Sequence, residues 1–177
     1  MAKSNWSVDV AHSAIEFGVK HMMISNVRGS FHNFQATVVA DVTDLTTAEI
    51  EFTVDVASID TRDAQRDGHL KSGDFFDVEN FPNITFKSTQ ITRKGDDEYA
   101  MTGDMSMHGV TVPVTFDVTF EGEGKDPWGN EKSGFSAKTS VNRKDFGLNW
   151  NSVLETGGVL VGEQVKINVE IEALKQA

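Results

Sequence analysis

The sequence predicts an all-β fold interrupted by one short helix. Three observations carry this: apolar and polar residues alternate with period two in many stretches, polar turn signals separate those stretches, and one charged segment, RDAQRDGHLKSGDFFDVENFP at 62 to 82, breaks the alternation.

The strands follow in order. Ile15, Phe17, Val19 and His21 share one parity, with Glu16, Gly18 and Lys20 on the other, which is the signature of a half-buried strand. Ile50, Phe52, Val54 and Val56 alternate with Glu49, Glu51, Thr53 and Asp55. Val114, Phe116, Val118 and Phe120 alternate with Thr115, Asp117, Thr119 and Glu121, and Val165, Ile167, Val169 and Ile171 with Lys166, Asn168, Glu170 and Glu172. Weaker versions run through Ile84 and Phe86, through Met101, Met105 and Met107, and through Phe135, Ala137 and Val141. KGDDE at 94 to 98, HGVT at 108 to 111 and EGEGKDPWGNEKSG at 121 to 134 read as turns, as do Gly103, Gly109, Gly122, Gly124, Gly157, Gly158 and Gly162. Connections this short make neighbouring strands antiparallel.

The helix is expected at residues 63–72. Asp63 can cap it, Ala64, Gln65, Arg66, His69, Leu70 and Lys71 accept helix, and Gly73 is a stop. Strands with one apolar face each must cover one another. Closing about eight of them into a barrel does so and removes the sticky edges, whereas periodicity alone leaves a two-sheet sandwich equally open. An inward set rich in Phe and Met suits either an apolar cavity or an ordinary filled core.

Composition narrows the function. The 177 residues suit a single domain, residues 1–177, with no internal repeat or linker. A net charge of −11 opposes nucleic acid as a partner. With no cysteine, disulfide frameworks and thiolate metal sites are excluded. No apolar run is long enough for an integral membrane segment, and MAKSNWSVDVAHS has no signal-peptide core. The sequence as it stands therefore reads as soluble and cytoplasmic, or periplasmic if a leader has been removed.

His12, His21, His32, His69 and His108 lack the spacing of a preformed zinc site, so no metal is expected. His12 and Ser13 are adjacent and would point to opposite faces of a strand, and no G-x-S-x-G elbow exposes a serine, so no catalytic group is expected. Lys20, Arg28, Arg62, Arg66, Lys71, Arg143 and Lys144 are the cations available to a lipid head group, with Arg28 and Arg62 favoured. Trp128, in DPWGN, is expected to pack in a hairpin loop, and Trp150 to project into a barrel mouth.

The segment IDTRDAQRDGHLKSGDFFDVENFPNITFKS, with VDVAHSAIEFGVKHMMISNVRGSF, GDMSMHGVTVPV, DPWGNEKSGFSAK and VNRKDFGLNW in that order, resembles the YceI-like family of lipid- and polyisoprenoid-binding proteins from about Trp6 to the last strand. The resemblance implies a bacterial, lipocalin-like, eight-stranded antiparallel barrel around an elongated apolar cavity, with no implied catalysis and no cofactor beyond a bound isoprenoid or other lipid. It also implies that 62 to 82 packs across the barrel as helix and loop, with Leu70, Phe75, Phe76 and Phe81 turned inward. Inward parity then names the lining as Phe17, Val19, Phe52, Val54, Phe86, Met101, Met105, Phe116, Val118, Phe135, Phe146, Trp150, Val165 and Ile167. His12, Ser13, Arg62, Asp63, His69 and Asp74 match family-pattern positions and are expected to tie the helix to the first strand.

The expected function is binding, storage or transport of a polyisoprenoid, an isoprenoid quinone precursor, or a fatty acid or amide. Two other readings stay open: a lipid-modifying enzyme using His12 or His21, and a stress-related interaction protein with a filled barrel. Homodimerisation through an edge or mouth also stays open.

Overall fold

Alternation over eleven strands closes into a barrel. The computed structural model describes residues 3–152, 154 and 158–176. In chain order these form β1 (Ser4–Val8), β2 (Ala14–His21), β3 (Ser25–Phe31), β4 (Phe34–Asp41), β5 (Asp44–Asp55), β6 (Ile59–Asp60), helix α1 (Ala64–Lys71), β7 (Asn83–Gly95), β8 (Glu98–Met107), β9 (Val110–Lys125), β10 (Glu131–Asn142) and β11 (Val161–Lys175). β1 pairs with both β4 and β11, so the sheet returns on itself.

Two staves of this barrel are broken strands. β1 and β2 lie end to end along β11, Trp6 opposite Lys175 and Ile15 opposite Val169, and a 3₁₀ turn at Val10–His12 separates them. β3 and β4 lie end to end alongside them. With each broken pair taken as one stave, eight antiparallel staves run up and down in sequence order. Closure gives the backbone of β1 a partner on both sides, which an open sandwich would deny to its edge strands.

Up-and-down order sorts the connections to two ends. The β4–β5, β7–β8 and β9–β10 turns share one end with both chain termini, and Trp6, Leu45, Tyr99 and Ala173 are buried towards it. The other end carries the β2–β3 and β8–β9 turns, the segment from 56 to 82 and the connection from β10 to β11. Among the described residues no helix is long and apolar enough to cross a membrane.

Some turns fall elsewhere than expected. The strands β9 and β10 run on through most of 121 to 134 and leave only 126 to 130 as the turn, because paired backbone groups outweigh the low strand propensity of glycine. Gly109 does sit in a turn, at φ 76°, whereas Gly103, Gly122, Gly124 and Gly162 lie within strands. Gly157 lies outside the described residues. Trp128 does not pack in its loop: it is 83% exposed.

The helix begins where the cap was expected. Asp63 Oδ1 accepts from the backbone N–H of Gln65 and of Arg66, each at 3.1 Å, and α1 ends at Lys71 with Ser72 as its C-cap. Arg66 anchors it to β6, donating from Nε to the Thr61 hydroxyl at 2.9 Å and from Nη2 to the Thr61 carbonyl at 2.7 Å. The Thr61 N–H in turn donates to Asp67 at 2.9 Å.

Candidate functional site

The inward parity of the staves encloses a cavity of about 330 Å³. That is within the range of roughly 300–1,000 Å³ usual for small-molecule sites. Its wall is almost wholly apolar. Phe17 and Val19 face it from β2, Phe52 and Val54 from β5, Phe86 from β7, and Met101 and Met105 from β8. Phe116 and Val118 do so from β9, Phe135 from β10, and Val165 and Ile167 from β11. Trp150, from the β10–β11 connection, and Phe75 and Phe76, from the segment after α1, complete the lining expected from parity and resemblance.

Phe81 and Phe146 do not border the cavity. Phe81 packs edge-on against His108 at 5.0 Å, where Gly109 makes room; a Cβ there would stand 2.7 Å from the Phe81 ring. Phe146 is 1% exposed but belongs to a 3₁₀ turn, Arg143–Phe146, so strand parity does not govern its direction. Leu148, on the same parity as Trp150, also lines the cavity, and Val38, Ala40 and Leu45 near the closed end and Leu160 at the other do so without a sequence expectation. The alternation Phe34, Ala36, Val38, Ala40 in β4 was available in the sequence as a signal for Val38 and Ala40.

At the end covered by α1 the lining includes Lys20, His21, Arg66, His69 and Arg143, and the last three are hydrogen-bonded within the protein. His69 Nε2 lies 2.9 Å from Asp74 Oδ2, and its ring stands edge-on to Phe75 at 5.1 Å and to Trp150 at 4.8 Å. Arg66 is held by Thr61. Arg143, only 4% exposed, spends its guanidinium on four backbone carbonyls: Gly162 at 2.8 Å, Leu148 at 2.6 Å, Trp150 at 2.9 Å and Val161 at 3.3 Å. Burial lowers the pKa of Arg143 from its ordinary value, opposed by nearby Glu163. No sequence signal distinguished this arginine from a solvated one.

The favoured head-group cations lie elsewhere. Arg28 is exposed on β3, and Arg62 is exposed beside β6, its backbone N–H donating to Asp60 at 2.8 Å. The reason is parity: Arg28 pairs with Gly18 on the outward face of the β2–β3 hairpin. Arg62 occupies a left-handed turn position at φ 64°.

The residues expected to tie helix to first strand form separate groups. His12, with a side chain 66% exposed, sits outside the barrel with Nδ1 2.8 Å from Asp9 Oδ2 and 3.3 Å from Glu172 Oε2. The Ser13 hydroxyl accepts from the Glu172 N–H at 3.0 Å. Lys132 Nζ lies 3.7 Å and 3.8 Å from the same two carboxylates, so an ammonium already offsets part of the charge of this cluster. The hydrogen bond from His12, reinforced by the charges of His12 and Lys132, holds the Asp9 carboxyl below its usual value. His32 does the same for Asp60. Asp63 serves as the helix cap, and His69 and Asp74 pair with each other. His21 lines the cavity near the β2–β3 turn.

Known proteins share this architecture. A family model for the YceI-like domain matches residues 6–173. A UPF0312 protein of Staphylococcus aureus strain N315 is 41% identical over 170 residues, 96% of each chain. BcnA of Burkholderia cenocepacia superposes with a TM-score of 0.82 at 27% identity, covering 93% of this chain and 98% of that one. The Campylobacter jejuni YceI protein gives 0.78 at 29% identity, covering 89% and 90%. A polyisoprenoid binding domain from Saccharophagus degradans, at 12% identity and a TM-score of 0.73 over 97% and 98%, shares the fold.

Proposed function

The chain belongs to the YceI-like domain family, and from that premise we propose that it is a non-enzymatic carrier or store for a long apolar chain held inside the barrel. One observation carries the reading: the staves leave a cavity of about 330 Å³ whose wall is apolar from the closed end to α1. A filled-core interaction protein would have no such space. The Saccharophagus barrel of the same fold is described as polyisoprenoid binding, which makes an isoprenoid the first chain to try.

The mechanism is burial. Each 100 Å² of chain surface taken from water contributes about 2.5 kcal/mol, from which the cost of ordering the chain is subtracted. Arg66, Arg143 and His69 are committed to protein partners, so a head group left at the mouth would meet Lys20 and His21 rather than these three. Use of His12 as a base on enclosed lipid is disfavoured by its position outside the wall.

Native mass spectrometry of the protein from its host, with solvent extraction of any adduct, tests the reading. The expected result is a stoichiometric apolar adduct, with isoprenols of increasing length binding progressively tighter. Phe75→Ala/Phe76→Ala removes two lining rings and should weaken retention at least about tenfold in a folded protein. A clean apo mass with no uptake of isoprenoid or fatty chains overturns the carrier reading, and unchanged retention in the double variant overturns the role of the two rings.

A further inference from the structure

Several of the barrel's most exposed large apolar side chains sit together beside the mouth. The β2–β3 hairpin turns at Met22 and Met23, which are 43% and 62% exposed, and Ile24 follows at 81%. The Ile24 N–H donates to the His21 carbonyl at 3.2 Å, and Met22 and Met23 hold φ angles of 53° and 63°. Two successive positive φ values in this three-residue connection, where His21 stands opposite Ser25, are a backbone state that Asn and Gly hold at less cost than methionine. Two methionines there carry a backbone cost, and although Met23 Sδ rests against Gly158 of the β10–β11 connection, neither side chain belongs to a core cluster. The tip is nevertheless fixed to the rim. The Met22 N–H donates to the carbonyl of Leu160 at 2.7 Å, and Leu160 lines the cavity.

The charge around this tip departs from the rest of the chain. Residues 17 to 40 contain no Asp or Glu, although the protein has 27 acidic residues. Lys20 and Arg28 are exposed on this hairpin, opposite Asn26 and Gly18, and neither forms an ion pair among the described residues.

We propose that this hairpin tip docks the barrel onto a phospholipid bilayer. Met22, Met23 and Ile24 enter the boundary between head groups and acyl chains, and Lys20 and Arg28 face lipid phosphate. A convex tip of three side chains is far smaller than the roughly 800 Å² per partner of a stable protein interface, which favours a fluid surface as the occupant. The net charge of −11 disfavours approach of the acidic faces to an anionic surface and so selects this one. The inference rests on the carrier reading for its purpose, since it sets the mouth where an apolar cargo is dissolved.

The chain has no cysteine, so Ile24→Cys bearing an environment-sensitive dye reports on the tip alone. Trp128→Cys, 83% exposed at the opposite end, reports on the other end. With vesicles of phosphatidylcholine and phosphatidylglycerol, the dye at 24 should shift to the blue and the dye at 128 should not. Met22→Asn/Met23→Gly installs residues that tolerate both positive φ angles, so it should keep or raise the unfolding midpoint while lowering the vesicle-bound fraction about tenfold. It should also slow transfer of a fluorescent farnesyl chain from vesicles without changing uptake of that chain from cyclodextrin. No shift at 24, an equal shift at 128, or wild-type docking by the double variant overturns the proposal. Docking without chain uptake from either source would sink the carrier reading alone, and uptake without docking would sink this one alone.

Discussion

Replacing Arg143 by leucine should destabilise the protein by about 3–5 kcal/mol, because its guanidinium is the shared donor for four carbonyls around the cavity mouth. The carbonyls of Leu148, Gly162 and Trp150 accept at 2.6, 2.8 and 2.9 Å, and that of Val161 at 3.3 Å. Val161 O also accepts from Asn151 Nδ2 at 2.8 Å, so it keeps a partner when the arginine is lost. Each of the other three loses a charge-assisted bond, and an unsatisfied buried acceptor costs about 1–3 kcal/mol. Relief from burying the guanidinium offsets part of that sum, which leaves a net figure of about 3–5 kcal/mol. Urea unfolding measures it as a drop in midpoint at constant slope, and thermal unfolding as a fall of roughly 2–4 °C per kcal/mol for a chain of this size. Arg143→Lys should recover only part, since a single ammonium cannot reproduce the planar fork. A loss under about 1 kcal/mol for leucine, or full recovery with lysine, would refute the claim that this fork fastens the mouth.

Two further outcomes follow from the same geometry. Gly103 lies under the Phe86 ring, and a Cβ there would stand 2.4 Å from Phe86 Cζ and 2.5 Å from the Lys87 carbonyl oxygen; Gly103→Ala should cost about 1–3 kcal/mol by overpacking, and a neutral result by thermal unfolding would show that β8 can move away freely. Asp9 has its carboxyl pKa lowered below 3.8 by its hydrogen bond from His12, so its contribution to stability is complete above 3.8 and is lost as pH falls through the lowered value; the stability gap between wild type and Asp9→Asn should therefore close in acid, and a gap independent of pH would contradict the pairing.

Much of the fold was legible because a strand with one wet face writes its burial into every second residue. Phe17 and Val19, Phe116 and Val118, and Val165 and Ile167 all face the cavity as their parity requires. The helix was equally legible, since Asp63 capping depends on residues two and three places on. Local spacing failed where the backbone left the extended state: Phe146 shares a parity with Leu148 and Trp150, yet its 3₁₀ turn sends it away from the cavity that the other two line.

By itself, then, the sequence determined which residues alternate, where the chain turns and where one short helix starts, because each is a property of neighbours within a few residues. Only the tertiary structure decided that β1 meets both β4 and β11 to close the sheet. It alone showed that Arg143 is buried among carbonyls while Arg28 stays on the outer wall, and that Met22 and Met23 stand at the mouth. Those facts join residues far apart in the chain, and the free energy that selects them, the pairing of backbone groups and the sharing of one donor among several acceptors, is set by where distant segments meet.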